Sequence, residues 1–202
     1  MNNIITFNNT SEKAGVHMCL PINKIHGKTA SEILQEFGGN KFPLDLKELL
    51  TNIGISALPM DFTNLEKKLN KGHILGLVLT DKNNAVIYYS KNDSLNRQRF
   101  TIAHELGHIC EHLRPDTKDY PYIDWRIEEE ANDLKEINAN IFAGELLIPL
   151  KELKKVYLSL KLPNSRDLAV AFGVSTNVME ERLNYLGVSY FNEKGVAVIA
   201  NG

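Results

Sequence analysis

The sequence contains 202 residues, of which 43% are hydrophobic and 24% are charged, so its apolar content suffices for a packed core with or without an appended part. Its formal net charge of −2 at pH 7 gives no general reason to expect a nucleic acid or an anionic membrane as a partner. It has two cysteines, no apolar run near the roughly 18 residues of a membrane helix and no basic start typical of a signal peptide, so we expect a cytoplasmic protein.

The first 70 residues predict a mostly helical lead-in to the rest of the chain. Residues 1–28 carry few structural signals and are assigned to an N-terminal arm, with a short strand over 16–22. The segments that follow have helix caps and glycine stops at fitting positions. They predict a helix begun by Thr29 or Ser31 and ended by Gly38, a helix over 44–53 ended by Gly54, a strand over 55–62, and a helix to Asn70 capped by Thr63.

Two β-rich runs, Ile74–Thr80 and Ala85–Ser90, follow this lead-in. The residues between them, Asp-Lys-Asn-Asn at 81–84, are typical of a hairpin turn. We expect the hairpin to lie beside the next helix. There it would offer a sheet edge to which an extended peptide could add through backbone hydrogen bonds.

The next run, 95–113, predicts a helix that carries the main chemical signal, His104-Glu105-Leu-Gly107-His108. Two histidines four residues apart on a helix differ by about 40° in direction and about 6 Å in rise, so both imidazoles can bind one metal ion. A glutamate between them can act as a general base towards the water that the metal activates, which is the pattern of zinc peptidases. The alternative is a helix with ordinary surface histidines. Gly107 has no helix-propensity rationale, and we expect another backbone to pass close to it.

A catalytic zinc ion takes three protein ligands, so the sequence must supply one more. His112 lies about 12 Å along the same helix from His104 and cannot share one ion with both other histidines. A loop is predicted over 114–125. Its Tyr120 or Tyr122, or else His112, could stabilise an oxyanion.

A second long helix is predicted over 126–147, capped by Asp124. Glu136 and Asn140 lie one turn apart on it, and we assign Glu136 as the third ligand and Asn140 as the residue that orients a histidine. The carboxylates of residues 128–130 are competing candidates for the third ligand. The buried face of this helix is predicted to consist of Leu134, Ile137, Ile141 and Leu146.

The rest of the sequence predicts three short helices over 151–160, 165–172 and 176–186, and a closing hairpin over 188–200. The last two helices, with a turn at Gly173, resemble a helix-turn-helix. A DNA-reading helix should present basic or amide side chains, and this one offers Asn177, Arg182 and Asn184 against two glutamates. Because the basic excess is weak, we predict a structural or protein-docking role and do not expect DNA binding.

Two stretches of the sequence resemble the ImmA/IrrE family of metallopeptidases. Residues 97–108 match its basic-Phe-Thr lead into a His-Glu-x-Gly-His helix, and residues 136–149 match its Glu-x-x-Ala-Asn-type helix that ends in Leu-Leu-Met-Pro. The resemblance implies zinc ligands and a catalytic glutamate, which fall on His104, His108 and Glu136 and on Glu105. It also implies an enzyme that cuts a helix-turn-helix repressor or antitoxin and so switches on a mobile element or stress genes.

The sequence departs from the family pattern at two positions. Asn138 stands where a glutamate is common, and Ile148 stands where methionine is usual. The choice of Glu136 as a ligand therefore depends on its spacing to Asn140.

The predicted fold class is α+β, a mostly helical zincin-like domain with a small antiparallel sheet beside the motif helix and a helix-turn-helix-like C-terminal part. The predicted divisions are an arm over 1–28, a metallopeptidase domain over 29–150 and a C-terminal region over 151–202. The predicted function is that of a zinc-dependent endopeptidase with Zn²⁺ as its cofactor, a protein substrate and no membrane partner. The alternative is a DNA-binding or protein-binding regulator with a structural or vestigial metal site.

Overall fold

The computed structural model describes residues 21–38, 41–70, 72–80, 85–113, 122–127 and 134–199, the segment 122–127 through its backbone only. The predicted α+β class is confirmed, since helices predominate around one four-stranded sheet. The helices are α1 Pro21–Ile25, α2 Ala30–Phe37, α3 Leu46–Ile53, α4 Thr63–Leu69, α5 Leu95–His112, α6 Leu134–Leu147, α7 Leu150–Ser159, α8 Ser165–Phe172 and α9 Thr176–Tyr185. The strands are β1 Ser56–Met60, β2 Ile74–Thr80, β3 Ala85–Ser90, β4 Tyr122–Ile127, β5 Tyr190–Phe191 and β6 Ala197–Val198. Within these ranges, no helix is both long and apolar enough to cross a membrane.

Local sequence signals explain the ends of the first helices. Thr29 forms a capping box with Glu32: the Glu32 backbone N–H donates to Thr29 Oγ1, and the Glu32 carboxylate accepts from the Thr29 backbone N–H. Gly54 ends α3 with a φ of 96°, a left-handed conformation that favours glycine. Two predictions are wrong here. Thr63 begins α4 but does not cap it, and the last two residues of the predicted strand 16–22 belong to α1, the others lying outside the described residues.

The four-stranded sheet has the order β1-β3-β2-β4. β2 and β3 pair antiparallel, with Val78 opposite Ile87, which confirms the strands of the predicted hairpin. β1 pairs with β3 in parallel, so the sheet is mixed and not wholly antiparallel as predicted. Both hairpin strands lie inside the sheet because each has a second partner from a distant part of the chain. The prediction that the hairpin offers a free edge is therefore wrong, and among the described strands the edges are β1 and β4.

Strand β4 lies where the end of a loop and the start of a helix were predicted. It pairs antiparallel with β2, from Tyr122 opposite Thr80 to Ile127 opposite Ile74. Asp124 therefore lies within a strand and caps no helix, and α6 is described from Leu134 onward. The segment is rich in β-branched and aromatic residues, and β2 supplies hydrogen-bond partners for one side of its backbone, so tertiary context overrides the helical pattern.

The helices α5 and α6 pack against each other in the main core. α5 buries Leu106, Ile109 and Cys110. The predicted buried face of α6 is right at Leu146 but wrong at Leu134 and Ile137, which are 74% and 42% exposed, and at Ile141, which is partly exposed. The residues that α6 buries are Ala139, Phe142, Ala143, Gly144, Leu146 and Leu147.

Phe142 and Gly107 explain this orientation of α6. A Cβ atom on Gly107 would lie 3.1 Å from a ring carbon of Phe142, so the absence of a side chain on α5 makes room for the ring. The close approach expected at Gly107 therefore exists, but a side chain makes it and not another backbone.

The C-terminal helices share this core with α5. Their buried residues Leu168, Phe172, Met179 and Leu183 belong to the same hydrophobic cluster as Leu106 and Ile109. Gly173, with a φ of 62°, forms the predicted turn between α8 and α9. Asn96 Nδ2 of α5 donates to Val174 O at 3.0 Å, and Arg99 Nε donates to Gly173 O at 2.9 Å. These bonds fix the turn against the first half of α5. The predicted closing hairpin is formed by β5 and β6.

His73 joins three elements of the fold just before β2. Its Nδ1 lies 2.9 Å from Glu66 Oε1 of α4, and its Nε2 lies 3.0 Å from Asp93 Oδ1 ahead of α5. Hydrogen bonding to Asp93 raises the pKa of His73, burial opposes this, and hydrogen bonding to Glu66 adds to the rise. His73 therefore favours the protonated form more in the folded chain than in the unfolded chain.

This raised pKa predicts a stability that depends on pH. The stabilisation is present in full below the unfolded pKa of about 6.5 and is lost as the pH rises through the folded pKa. His73→Gln should therefore reduce the free energy of unfolding, measured by urea denaturation, more at about pH 6 than at about pH 8.5. An equal loss for His73→Gln at both pH values would contradict the prediction.

Candidate metal centre

His104 and His108 lie on the same face of α5, and both are buried. Their Nε2 atoms are 2.9 Å apart, and the two rings meet edge to face at a centroid distance of 4.6 Å. One turn of helix separates the residues, so their spacing alone brings the two nitrogens together. Both histidines can therefore bind one ion through Nε2.

Glu136 of α6 faces this pair of nitrogens. Its Oε2 lies 3.1 Å from His104 Nε2, and its Oε1 lies 3.1 Å from His108 Nε2. One ligand atom from each of the three residues lies within 4.8 Å of the others. Burial alone would raise the pKa of Glu136, but hydrogen bonding to His104 and His108 outweighs burial and lowers the pKa well below its usual range. Glu136 is therefore a carboxylate at neutral pH, which is the form that binds a metal.

Asn140, one turn after Glu136 on α6, orients His104. The Nδ1–H of His104 donates to Asn140 Oδ1 at 2.9 Å. Because Nδ1 is engaged by Asn140, Nε2 is the ring nitrogen that faces His108 and Glu136 and is left to bind a metal. The structure thus brings together the three residues predicted to bind the metal and the one predicted to orient a ligating histidine.

Glu105 follows His104 on α5, next to the candidate metal ligands, and is almost fully buried, at 1% exposure. Its carboxylate approaches the backbone of β2 at Gly76, where a Cβ atom would lie 2.5 Å from Glu105 Oε1 and 2.7 Å from Thr101 Cγ2. Only glycine leaves room for the carboxylate here. Gly76 is not among the predicted site residues, although a glycine inside a strand pattern is the sequence signal for such a close approach.

The three donors fit a metal ion such as zinc in kind and in number. Two imidazole nitrogens and one carboxylate form a common ligand set of catalytic zinc sites, which keep the fourth position for water or substrate. The hydrogen bond from His104 to Asn140 is the usual support for a ligating histidine.

The sequence of this chain matches a described protein family. Residues 57–184 match the Peptidase_M78 family model, whose description is IrrE N-terminal-like domain. The chain belongs to the ImmA/IrrE family of metallopeptidases. It is also 29% identical, over 120 residues, to the metallopeptidase ImmA of Bacillus subtilis (strain 168), an alignment that covers 59% of this chain and 69% of the relative.

The ImmA/IrrE match extends over most of the described fold. It begins in β1 and continues to the last turn of α9, so it includes the candidate metal ligands and also the helix-turn-helix-like pair of helices. The boundary predicted at residue 150 falls inside the match, and the predicted division into domains stays a prediction.

The other candidate site residues of this ImmA/IrrE protein are the possible oxyanion stabilisers and the competing third ligands. They lie outside the group of three candidate metal ligands or outside the described residues. The ring of His112 is 5.6 Å from that of His108, and its Nε2 is 3.6 Å from Glu111 Oε2. Tyr120 and the glutamates at 128–130 are not among the described residues, and Tyr122 is described only through its backbone in β4. The roles assigned to them stay predictions.

Proposed function

We propose that this protein is a zinc-dependent endopeptidase that hydrolyses a peptide bond in a protein substrate. The observation that carries the proposal is the convergence of His104 Nε2, His108 Nε2 and the Glu136 carboxylate beside the buried Glu105. A zinc ion bound to these three residues would lower the pKa of a water molecule and polarise the substrate carbonyl. Membership of a metallopeptidase family supports the same function.

The proposed general base is Glu105. Glu105 lies between His104 and His108 on α5. Its carboxylate would therefore lie beside the water that attacks the substrate carbonyl. It accepts a proton from that water and passes the proton to the nitrogen of the leaving amine. Asn140 keeps His104 in the tautomer whose Nε2 can bind the metal. The burial of Glu105 excludes bulk water, which would compete for its proton.

We propose a helix-turn-helix repressor or antitoxin as the substrate, since this is what the family resemblance implies. Its cleavage in the cytoplasm would switch on genes of a mobile element or of a stress response. An extended segment of such a substrate could pair with β4, which is a sheet edge among the described strands. β4 neighbours β2, whose Gly76 lies against Glu105, so a segment paired there would lie near the metal ligands.

The proposal is tested with a purified helix-turn-helix repressor, chosen first from the genes adjacent to the gene for this protein. The zinc-loaded protein is incubated with that protein, and the fragments are identified by mass spectrometry. We expect cleavage at one or a few bonds, which stops when a chelator removes the zinc. If the zinc-loaded protein leaves both this partner and unfolded model proteins intact, the proposed activity is wrong.

Gly76→Ala should lower the rate of hydrolysis at least tenfold while zinc stays bound. The new methyl group would lie 2.5 Å from Glu105 Oε1 and must displace the proposed base, which is not a metal ligand. Cleavage rate and zinc content are measured on the same preparation.

The matched control for this variant separates Glu105 from Thr101. The methyl group of the alanine also meets Thr101 Cγ2, and Thr101→Ser removes that carbon. The double variant should remain slow, and Thr101→Ser alone should remain active. Recovery of the rate in the double variant would show that Thr101, and not Glu105, transmits the effect.

The alternative regulator function would require α9 to read DNA. Asn177 donates to Glu181 at 3.0 Å, and Arg182 is buried with its Nε donating to Ile148 O, so two of the three predicted base-reading side chains are engaged within the protein. We expect duplex DNA to bind only in the non-specific range of about 10⁻⁴ to 10⁻⁶ M at physiological salt, measured by fluorescence anisotropy. A nanomolar complex with one defined sequence would favour the regulator.

A further inference from the structure

An apolar pocket opens where α5, α6 and α9 meet. Its volume is about 190 Å³, and its walls include Phe100, Ile137, Ile141, Val178 and Tyr185. Ile137 and Tyr185 are 42% and 63% exposed, so apolar side chains face solvent in a concave site. Concave apolar surface that the fold leaves exposed is typical of a binding site.

The helix α6 has an apolar stripe that the core does not use. Its core side is occupied by Phe142 and Leu146, whereas Ile137 and Ile141, one turn apart, line the pocket together with Asn140. These two isoleucines are two of the four residues that the sequence pattern assigned to the buried face of α6. They form part of the pocket wall and not part of the core.

Two wall residues of the pocket also contact His104 of the candidate metal centre. Asn140 lines the pocket and also accepts the hydrogen bond from His104 Nδ1. The ring of Phe100, another wall residue, lies 6.4 Å from the ring of His104. Successive residues of an extended peptide are about 3.3–3.6 Å apart. This spacing is on the scale of the 6.4 Å between the rings of Phe100 and His104, so the side chain next to a carbonyl held at the metal is the one that we expect to reach the pocket.

The wall supplied by α9 is fixed in place. Arg182 Nε donates to Ile148 O at the end of α6, and the guanidinium of Arg182 lies 5.6 Å from the ring centre of Tyr185. The start of α9 is held to α5 by the bonds to Gly173 and Val174 described above. The pocket is therefore preformed, which lowers the entropic cost of binding.

We propose that this pocket binds the apolar side chain of the substrate residue next to the scissile bond, so that α9 forms one wall of the substrate site. The inference rests on the proposed peptidase function. It defines the substrate class as peptides with Leu, Ile, Val, Met or Phe beside the cleaved bond. Burying such a side chain favours it over a polar one by about tenfold or more in rate. The helix-turn-helix-like pair thus serves recognition of a peptide and not of DNA.

The probe is a peptide mixture made by digesting a bacterial proteome with an endoproteinase. The zinc-loaded protein is added, and the new cleavage sites are sequenced by mass spectrometry. We expect apolar residues to exceed polar residues at least tenfold at one of the two positions flanking the cleaved bond.

Two variants test whether the pocket causes that preference. A Cβ atom on Gly144 would lie 3.7 Å from Arg182 Cδ, an ordinary contact, so Gly144→Ala is tolerated and narrows the pocket. It should shift the preference at the same position from Phe and Leu towards Val and Ala by about tenfold. Ile137→Ser should weaken the apolar preference. The matched control is Leu134→Ser on the same helix, which is 74% exposed outside the pocket and should leave the profile unchanged.

Cleavage without an apolar preference beside the bond, or with an unchanged preference in both variants, would overturn the inference and leave the peptidase function standing. If the wild-type protein cleaves no peptide, the proposed function itself fails, and a binding measurement decides on the pocket. In methyl NMR of the metal-free protein, N-acetyl-leucinamide but not N-acetyl-serinamide should shift the methyl signals of Ile137, Ile141 and Val178. The absence of shifts would remove the site. If these methyl signals shift with protein concentration but not with added ligand, the pocket face binds a second copy of the chain, and the proposal is overturned.

Discussion

Glu105→Gln is expected to retain zinc and to lose at least about a hundredfold in the rate of hydrolysis, since general-base catalysis contributes about 10²- to 10⁴-fold. The amide has nearly the shape of the carboxylate, so the buried position beside Gly76 still accepts it. It cannot accept the proton of the attacking water. Zinc content by plasma mass spectrometry and the cleavage rate together measure the effect.

The control for this variant is Glu111→Gln, on the same helix but outside the metal-ligand group. It should retain both zinc and activity. Loss of zinc from Glu105→Gln, or a rate equal to that of the wild type, would remove Glu105 from the role of general base.

Glu136→Ala is expected to lower zinc affinity by at least tenfold, because even the loss of a residue that only supports a ligand costs about 10- to 100-fold. Each carboxylate oxygen of Glu136 lies 3.1 Å from the Nε2 atom of one of the two histidines, and the side chain is only partly buried. The fold should therefore survive the change. Zinc affinity is measured by competition with a chelator, and circular dichroism checks the fold.

The competing candidates for the third ligand provide the contrast to this variant. Replacing the three glutamates at 128–130 by glutamine should leave zinc affinity nearly unchanged. If the triple variant loses zinc while Glu136→Ala keeps it, the assignment of the third ligand is wrong.

The motif helix could be predicted from the sequence almost completely. Ser94 accepts a hydrogen bond from the backbone N–H of Arg97, and the helix ends within one residue of the predicted end. The spacing of His104 and His108 then determines their convergence, because helix geometry is local. Asn140 follows Glu136 by one turn for the same reason.

The partners of these local elements could not be predicted from the sequence. Strand β4 forms because β2 supplies its backbone partners, and nothing local in residues 122–127 reveals that pairing. The rotation of α6 depends on the contact between Phe142 and Gly107, which joins residues 35 positions apart. Gly76 gains its importance from the carboxylate of Glu105 on another element. Each of these features arises from contacts between distant segments.

The most direct test of the metal centre is a crystal structure of the zinc-loaded protein with anomalous data at the zinc edge. We expect one anomalous peak, with His104 Nε2, His108 Nε2 and a Glu136 oxygen about 2.0–2.2 Å from it. The side chain of Glu105 should lie beside the ion but not coordinate it. A peak away from the two histidines, or one whose third protein ligand comes from residues 128–130, would contradict this assignment of the metal ligands.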